Sequence, residues 1–186
     1  MNIYCRDLSI PLMHPLKDPS ILNQTGSEPE IWFASIDDVN SEFANWLDSQ
    51  GLVMTYPPLL FYTPAGGQCG IHIDGFGVTD RACMNFIVRG IGSIMHWYNL
   101  KPTVEISQQD ATQADTPYTL YQPNQVEHVH SQVVKWPSIV QTGVPHNITN
   151  HTTEPRWCIS CDVSFKTSPE AGLTWIQAME TFKQWM

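Results

Sequence analysis

At 186 residues the chain is long enough for one domain with a real core, burying roughly 70% of the surface its unfolded form exposes. A formal charge of −9 with only nine Lys plus Arg leaves no cationic surface to neutralise a run of phosphates, which excludes nucleic acid as an expected partner. Hydrophobic residues make up 42% and charged ones 15%, with fourteen Pro and seven Trp, a balance that suits a β-rich, turn-rich globular protein and not a disordered or coiled-coil chain.

The start, Met1-Asn2-Ile3-Tyr4-Cys5-Arg6-Asp7, lacks the basic end and apolar core of a signal peptide, and no run approaches the ~20 apolar residues of a membrane span. A cytoplasmic protein without a membrane partner is the expectation. Its five cysteines, an odd number, read as buried thiols and not as a disulfide framework.

In chain order, residues 2–10 suggest a short strand, followed by a stretch interrupted by Pro11, Pro15, Pro19 and Pro29. A helix is predicted from Ser35, which with Asp38 fits a capping pattern; Ile36, Val39, Phe43, Trp46 and Leu47 share one face, and Gly51 ends it. Residues 52–62 form an apolar run, and Pro64-Ala65-Gly66-Gly67 turns the chain into Gly70-Ile71-His72-Ile73-Asp74-Gly75. Residues 81–89 read as a buried strand that Gly90-Ile91-Gly92 turns into a second, antiparallel strand over 93–100. Residues 101–137 are polar and irregular, which predicts a long excursion forming part of a substrate wall or lid. Strands are predicted over 138–144, 146–149 and 156–165. A last helix starting at Ser168-Pro169-Glu170 presents Leu173, Ile176, Met179, Phe182 and Trp185 to a sheet. The whole reads as one domain: an N-terminal strand and supporting helix over 1–57, a β core over 58–166 with the insert 101–137, and a C-terminal helix over 168–186.

His72 and Asp74 lie two apart on a strand and so share a face. With His146, from Val144-Pro145-His146-Asn147-Ile148, they compose two imidazoles and one carboxylate, the facial set of non-haem Fe(II) sites. After His146, residues 150–155 can turn the chain back beside its own strand, bringing Arg156 to the same cavity. Arg156, Cys158, Ser160 and Asp162 would then line a wet interior, and Trp157, Ile159, Cys161 and Val163 the opposite face. A guanidinium so placed can hold a carboxylate bidentately.

His72-x-Asp74, His146 and Arg156 resemble the 2-oxoglutarate and Fe(II)-dependent dioxygenase superfamily, and most closely its prolyl hydroxylase-like branch. That likeness adds Tyr62-Thr-Pro-Ala-Gly66-Gly67 before the motif and Asp80-Arg81-Ala-Cys83 opening the next strand. It covers residues 59–163 apart from the insert. The resemblance implies a double-stranded β-helix (jelly roll, cupin-like), mainly β with flanking helices. It further implies Fe(II) on His72, Asp74 and His146, with Arg156 on the distal carboxylate of 2-oxoglutarate. Tyr62, Asn85 and Ser160 are further cofactor-contacting candidates. Many relatives carry Ser two positions after the Arg, where this chain has Cys158. The implied chemistry is decarboxylation of 2-oxoglutarate to succinate, coupled through O2 to hydroxylation of an amino acid, a peptide or protein side chain, or a small metabolite.

Two alternatives stand beside this reading. One is a jelly-roll module that binds ligand without turnover. The other is a cupin-type metalloenzyme using His128 and His130, although the Glu a cupin supplies a few residues later is absent and a solvated loop is the simpler reading there. Cys158-x-x-Cys161 sends its thiols to opposite strand faces and is not a metal pair. His96 is a further candidate to face the pocket.

Overall fold

A computed structural model describes residues 3–11, 13–23, 25–74, 80–102, 109–113 and 116–186. Strands and helices follow in the order β1 (Cys5–Asp7), β2 (Glu30–Phe33), α1 (Ser41–Ser49), β3 (Leu52–Met54), β4 (Leu59–Thr63), β5 (Ile71–Asp74), β6 (Ala82–Arg89) and β7 (Ile94–Leu100). After these come β8 (Gln109–Gln113), β9 (Thr116–Tyr121), β10 (Val126–Val133), β11 (Ser138–Gln141), β12 (His146–Thr149), β13 (Arg156–Cys161), β14 (Val163–Phe165) and α2 (Trp175–Thr181).

Two six-stranded antiparallel sheets carry the fold, one ordered β1-β11-β6-β13-β4-β2 and the other β10-β7-β12-β5-β9-β8. From β4 to β7 successive strands alternate between the two sheets, and from β11 to β13 they alternate again. This winding makes the domain a double-stranded β-helix, a cupin-like jelly roll. Alternating side chains divide its interior in two. Trp157, Ile159, Cys161, Met84 and Phe86 point from the first sheet towards the helices, packing with Phe43, Leu47, Ala178 and Phe182. Cys158, Ile87, Val140, Met95, Trp97 and Ile148 fill the space between the sheets. Full burial of a Phe or Leu side chain stabilises by roughly 1.5–3 kcal/mol relative to exposure, and Phe43, Phe86 and Phe182 are all 0% exposed.

Both helices start later than their sequence signals suggest. Ser35 and Asp38 do form a reciprocal capping box, but it closes only a 3-10 turn over Ile36–Asp38; Asn40 caps α1. At the other end the Ser168-Pro169-Glu170 segment turns without becoming helical. Gly172 adopts φ +61°, Leu173 is tied to Val163 and Ala82 by backbone bonds, and Thr174 with Gln177 caps α2.

Three pairings differ from expectation. The chain crosses from β6 in one sheet to β7 in the other, so Gly90-Ile91-Gly92 joins sheets and closes no hairpin. Likewise β12 and β13 lie in opposite sheets, and residues 150–155 bridge them. Asn150, 0% exposed, fixes that bridge by donating from Nδ2 to the carbonyls of Thr63, Pro64 and Glu154. The stretch 101–137, expected as an excursion, supplies β8, β9 and β10 to the second sheet; residues 103–108, 114 and 115 lie outside the described residues. Glu127-His128-Val129-His130, read as a solvated loop, is part of β10, with a register shift between its two histidines.

Candidate metal centre

β5 and β12 are antiparallel neighbours, and His72 stands directly opposite His146. Because i and i+2 share a face, Asp74 joins them on the side facing the first sheet. Nε2 of His72 lies 3.3 Å from Asp74 Oδ1, and Nε2 of His146 lies 3.9 Å from the same oxygen. Among the described residues, these three form the one group of at least three His, Cys, Asp or Glu side chains able to share a metal ion, with ligand atoms within 4.8 Å of one another. Each imidazole is held from behind. The Nδ1 of His72 meets the Gly70 carbonyl at 2.9 Å, and that of His146 meets the Val144 carbonyl at 2.8 Å. Such contacts fix Nδ1 as the protonated nitrogen and leave Nε2 free as ligand. The donor set therefore fits a divalent metal of the non-haem iron type.

The electrostatics agree with a site waiting for a cation. Burial works against the charge of Asp74, yet the His72 hydrogen bond and the charges of His146, His72 and Arg81 hold its carboxyl at about 2. Burial also opposes protonation of His72, but hydrogen bonds to Asp74 and Cys69 raise its pKa well above the ordinary imidazole value. His146 is lowered to about 4 by burial first and by the His72 charge second. Without metal, then, the pair holds one proton, on His72.

These residues line a cavity of about 320 Å³ between the sheets. Across it, β13 presents Arg156, Cys158 and Ser160, the alternate residues expected on that face. Arg156 is 2% exposed and donates from Nε to Ser93 Oγ at 3.0 Å. Cys158 is hydrogen-bonded to the Arg156 side chain, and its thiol pKa is raised, chiefly by burial. Asn85, paired across strands with Ser160 and Ser138, also lines the cavity; it is 6% exposed, and its Oδ1 has no hydrogen-bond partner.

Other candidates sit elsewhere. Tyr62 pairs with Trp157 and shares that residue's face, on the helix side of the first sheet. Its ring packs edge-on against Trp157 at 5.2 Å, and its hydroxyl donates to the Gly26 carbonyl at 2.8 Å. Phe61 and Thr63, its neighbours, share the parity of Arg156. Asp162, expected in the wet interior, is ion-paired with Arg81. His96 lies on the outer side of the second sheet, between Ser131 and Thr149. His128 is bonded to Ser131, while His130 stacks on Tyr4 and Trp97, so the two do not converge on a common point. All five cysteines are free, and Cys158 and Cys161 fall in the two separate cores.

Three contributors carry no recognisable sequence signal. Cys69 accepts a hydrogen bond from the Ile148 amide at 3.0 Å and contacts His72. Ser93 holds Arg156. Tyr118, on β9, packs edge-on against His72 at 6.1 Å and, with Leu120, brings the 101–137 stretch into the cavity wall.

No protein family and no curated protein sequence matches the chain. Solved structures give remote likenesses. An oxalate oxidase in complex with the substrate analogue glycolate is 11% identical, with 77% of this chain covered and a TM-score of 0.37. Oxalate decarboxylase from Bacillus subtilis is 12% identical over 87% of this chain with a TM-score of 0.33, and that from Lactobacillus farciminis is 9% identical over 88% with a TM-score of 0.34. The chain spans 58% of the oxidase and 35% and 40% of the two decarboxylases. Likeness of this degree carries no argument about chemistry. On its own strand order and side chains, the protein is a cupin-like jelly roll with a His-Asp-His group that could hold a metal. No helix among the described residues is long and apolar enough to cross a membrane.

Proposed function

We propose that the protein is a 2-oxoglutarate-dependent, Fe(II)-dependent oxygenase that hydroxylates an amino acid, a peptide or protein side chain, or a small metabolite. Arg156 carries this reading. It is a buried guanidinium in the cavity of the His-Asp-His group, and among the described residues it makes no ion pair with a carboxylate. Burying such a charge without a counter-charge is strongly unfavourable, so the site suits an anionic ligand.

His72, Asp74 and His146 would hold Fe(II), and the metal with 2-oxoglutarate and O2 would supply the oxidising power. The chain itself orients both imidazoles through the Gly70 and Val144 carbonyls. Arg156, steadied by Ser93, receives the distal carboxylate in a fork-shaped contact. Phe61, Met95, Leu120 and Ile148 give the cavity apolar walls that exclude water.

The test is anaerobic reconstitution with Fe(II), then admission of O2 with 2-oxoglutarate while succinate is followed. Succinate formation that requires iron and disappears in His146→Ala supports the reading. Failure of the Fe(II)-loaded protein both to form succinate and to bind 2-oxoglutarate sinks it. Arg156 would equally hold a carboxylate of the substrate itself, which favours, as a second reading, a cupin-type metalloenzyme in which the same three residues bind the metal and no oxoacid is needed. Metal-dependent turnover of a carboxylic acid without 2-oxoglutarate selects that alternative.

A further inference from the structure

Two independent features of the cavity concern the ligand that meets the metal, and both rest on reading this cavity as the substrate site. The first is charge. Exposed Glu28 and half-buried Glu30 line the cavity, placing carboxylates on its solvent side. Among the described lining residues Arg156 is the one Lys or Arg, and it lies inside, committed in the reading above to an anionic co-substrate. Carboxylates at the rim of a low-dielectric cleft focus a negative potential on whatever enters, and the net charge of −9 adds to it.

The second feature is the buried Asn85 carbonyl oxygen. Ser138 and Ser160 are its cross-strand neighbours, yet Oδ1 accepts no hydrogen bond. A buried polar oxygen left unpaired is uncommon and calls for a donor. An N–H or O–H group of a ligand in the cavity would satisfy it; a ligand carboxylate, which only accepts, would not.

We infer that the primary substrate bears a cationic nitrogen group, an ammonium or a guanidinium, drawn in by Glu28 and Glu30 and offered an acceptor by Asn85. Free basic amino acids and basic side chains in a peptide share this chemistry. Anionic substrates are repelled at the rim, and neutral isosteres lose the charge contact.

Calorimetry on the Zn(II)-loaded protein, with and without 2-oxoglutarate, tests the inference. The probes are free lysine and arginine, their neutral isosteres norleucine and citrulline, glutamate, and a terminally blocked glycyl-lysyl-glycine peptide. Lysine, arginine or the blocked peptide should bind about tenfold or more tighter than the neutral isosteres; whether the free amino acids or the peptide binds tighter distinguishes the two sources. That preference should vanish in the Glu28→Gln/Glu30→Gln double variant, with Zn(II) affinity measured in the same samples to show that the fold is intact. Asn85→Leu should weaken the basic probes further. Neutral or acidic probes binding as tightly, a preference that survives the double variant, or no probe binding at all would each overturn the inference. The oxygenase reading fails separately: a cation preference in a protein that neither binds 2-oxoglutarate nor forms succinate removes the oxygenase and leaves the substrate class.

Discussion

His72 and His146 face each other across two neighbouring strands, with ring centroids 4.4 Å apart, and each is aimed by the carbonyl two residues before it in the chain. The same local device is used twice: a strand entered from Gly70 and a strand entered from Val144 each turn one carbonyl back onto the ring. Asp74 completes the set from the strand that carries His72, so the metal geometry depends on the register of one strand pair.

Replacing either histidine with Ala should lower metal affinity by 100-fold or more, on the order expected for loss of one of three ligands. Anaerobic Fe(II) or Co(II) titration measures it. Arg156→Met separates the two functions of the cavity. Metal affinity should stay within about twofold, while 2-oxoglutarate binding falls by more than tenfold. The ligand-free variant should be as stable as the parent or more so by ~1–4 kcal/mol, because a buried uncompensated charge has been removed. A large drop in melting temperature for Arg156→Met would show that the guanidinium is held by groups within the protein and is not kept for a ligand.

Metal binding should depend on pH through His72. His146, with its pKa at about 4, is already neutral near neutrality, whereas His72 retains a proton because its pKa is raised. The ligand form is the neutral one, so binding expels one proton, and affinity falls about tenfold per pH unit below the raised pKa of His72. Below about 4 a second proton competes, at His146. Stability of the metal-free protein follows opposite signs at the two rings. The raised His72 pKa contributes stability below the unfolded value near 6.5, lost as pH rises through the folded value. The lowered His146 pKa contributes stability above 6.5, lost as pH falls towards about 4. Zn(II) calorimetry in buffers of differing ionisation enthalpy counts the released proton; a count of zero at pH 7 contradicts the charge state assigned to His72.

Asn150 should matter more than its place in a connection suggests. Its buried Nδ2 serves three carbonyls, and its Oδ1 accepts from the Thr152 amide at 3.2 Å and hydroxyl at 2.7 Å. Asn150→Ala leaves those groups short of partners, at ~1–3 kcal/mol for each that water cannot reach. Thermal unfolding should register a fall of several degrees. A Tm within one degree of the parent would mean that the bridge between β12 and β13 is fixed by other contacts.

Strand parity explains which parts of the site the sequence reveals. Alternation alone puts His72 with Asp74, and Arg156 with Cys158 and Ser160, because a face is a local property of a strand. Sheet membership is not local. Residues 90–92 and 150–155 are short and turn-rich, the marks of a hairpin, yet both cross between sheets, and nothing in side-chain periodicity distinguishes a crossing from a return. Tyr62 shows the sensitivity: one position either side, Phe61 and Thr63 have the parity of Arg156, while the tyrosine has that of Trp157. β10 escapes notice because it is an edge strand whose Glu127, His128 and Val129 are all exposed, so no apolar alternation marks it. The Gly70 and Val144 carbonyls that aim the rings are backbone groups and have no sequence signature.

Gly90 gives a test of how the two sheets set the distance between metal and anion sites. Its φ is +65°, and a Cβ there would stand 2.6 Å from the Arg156 Cα and 2.9 Å from the Arg156 Cβ. Glycine is therefore required twice over, by the left-handed backbone and by the approach of the next strand. Gly90→Ala must strain its own backbone or push β13 away at the residue that carries the guanidinium. A destabilisation of about 1–3 kcal/mol follows from the strain. The more specific effect is on Arg156, whose displacement from Ser93 should weaken 2-oxoglutarate binding about tenfold or more, while His72 and His146 in the opposite sheet keep metal affinity within about twofold. Parallel titrations of metal and 2-oxoglutarate on the purified variant decide the matter. Equal losses of both ligands would indicate general loosening of the barrel, whereas a selective loss of 2-oxoglutarate places the effect on Arg156.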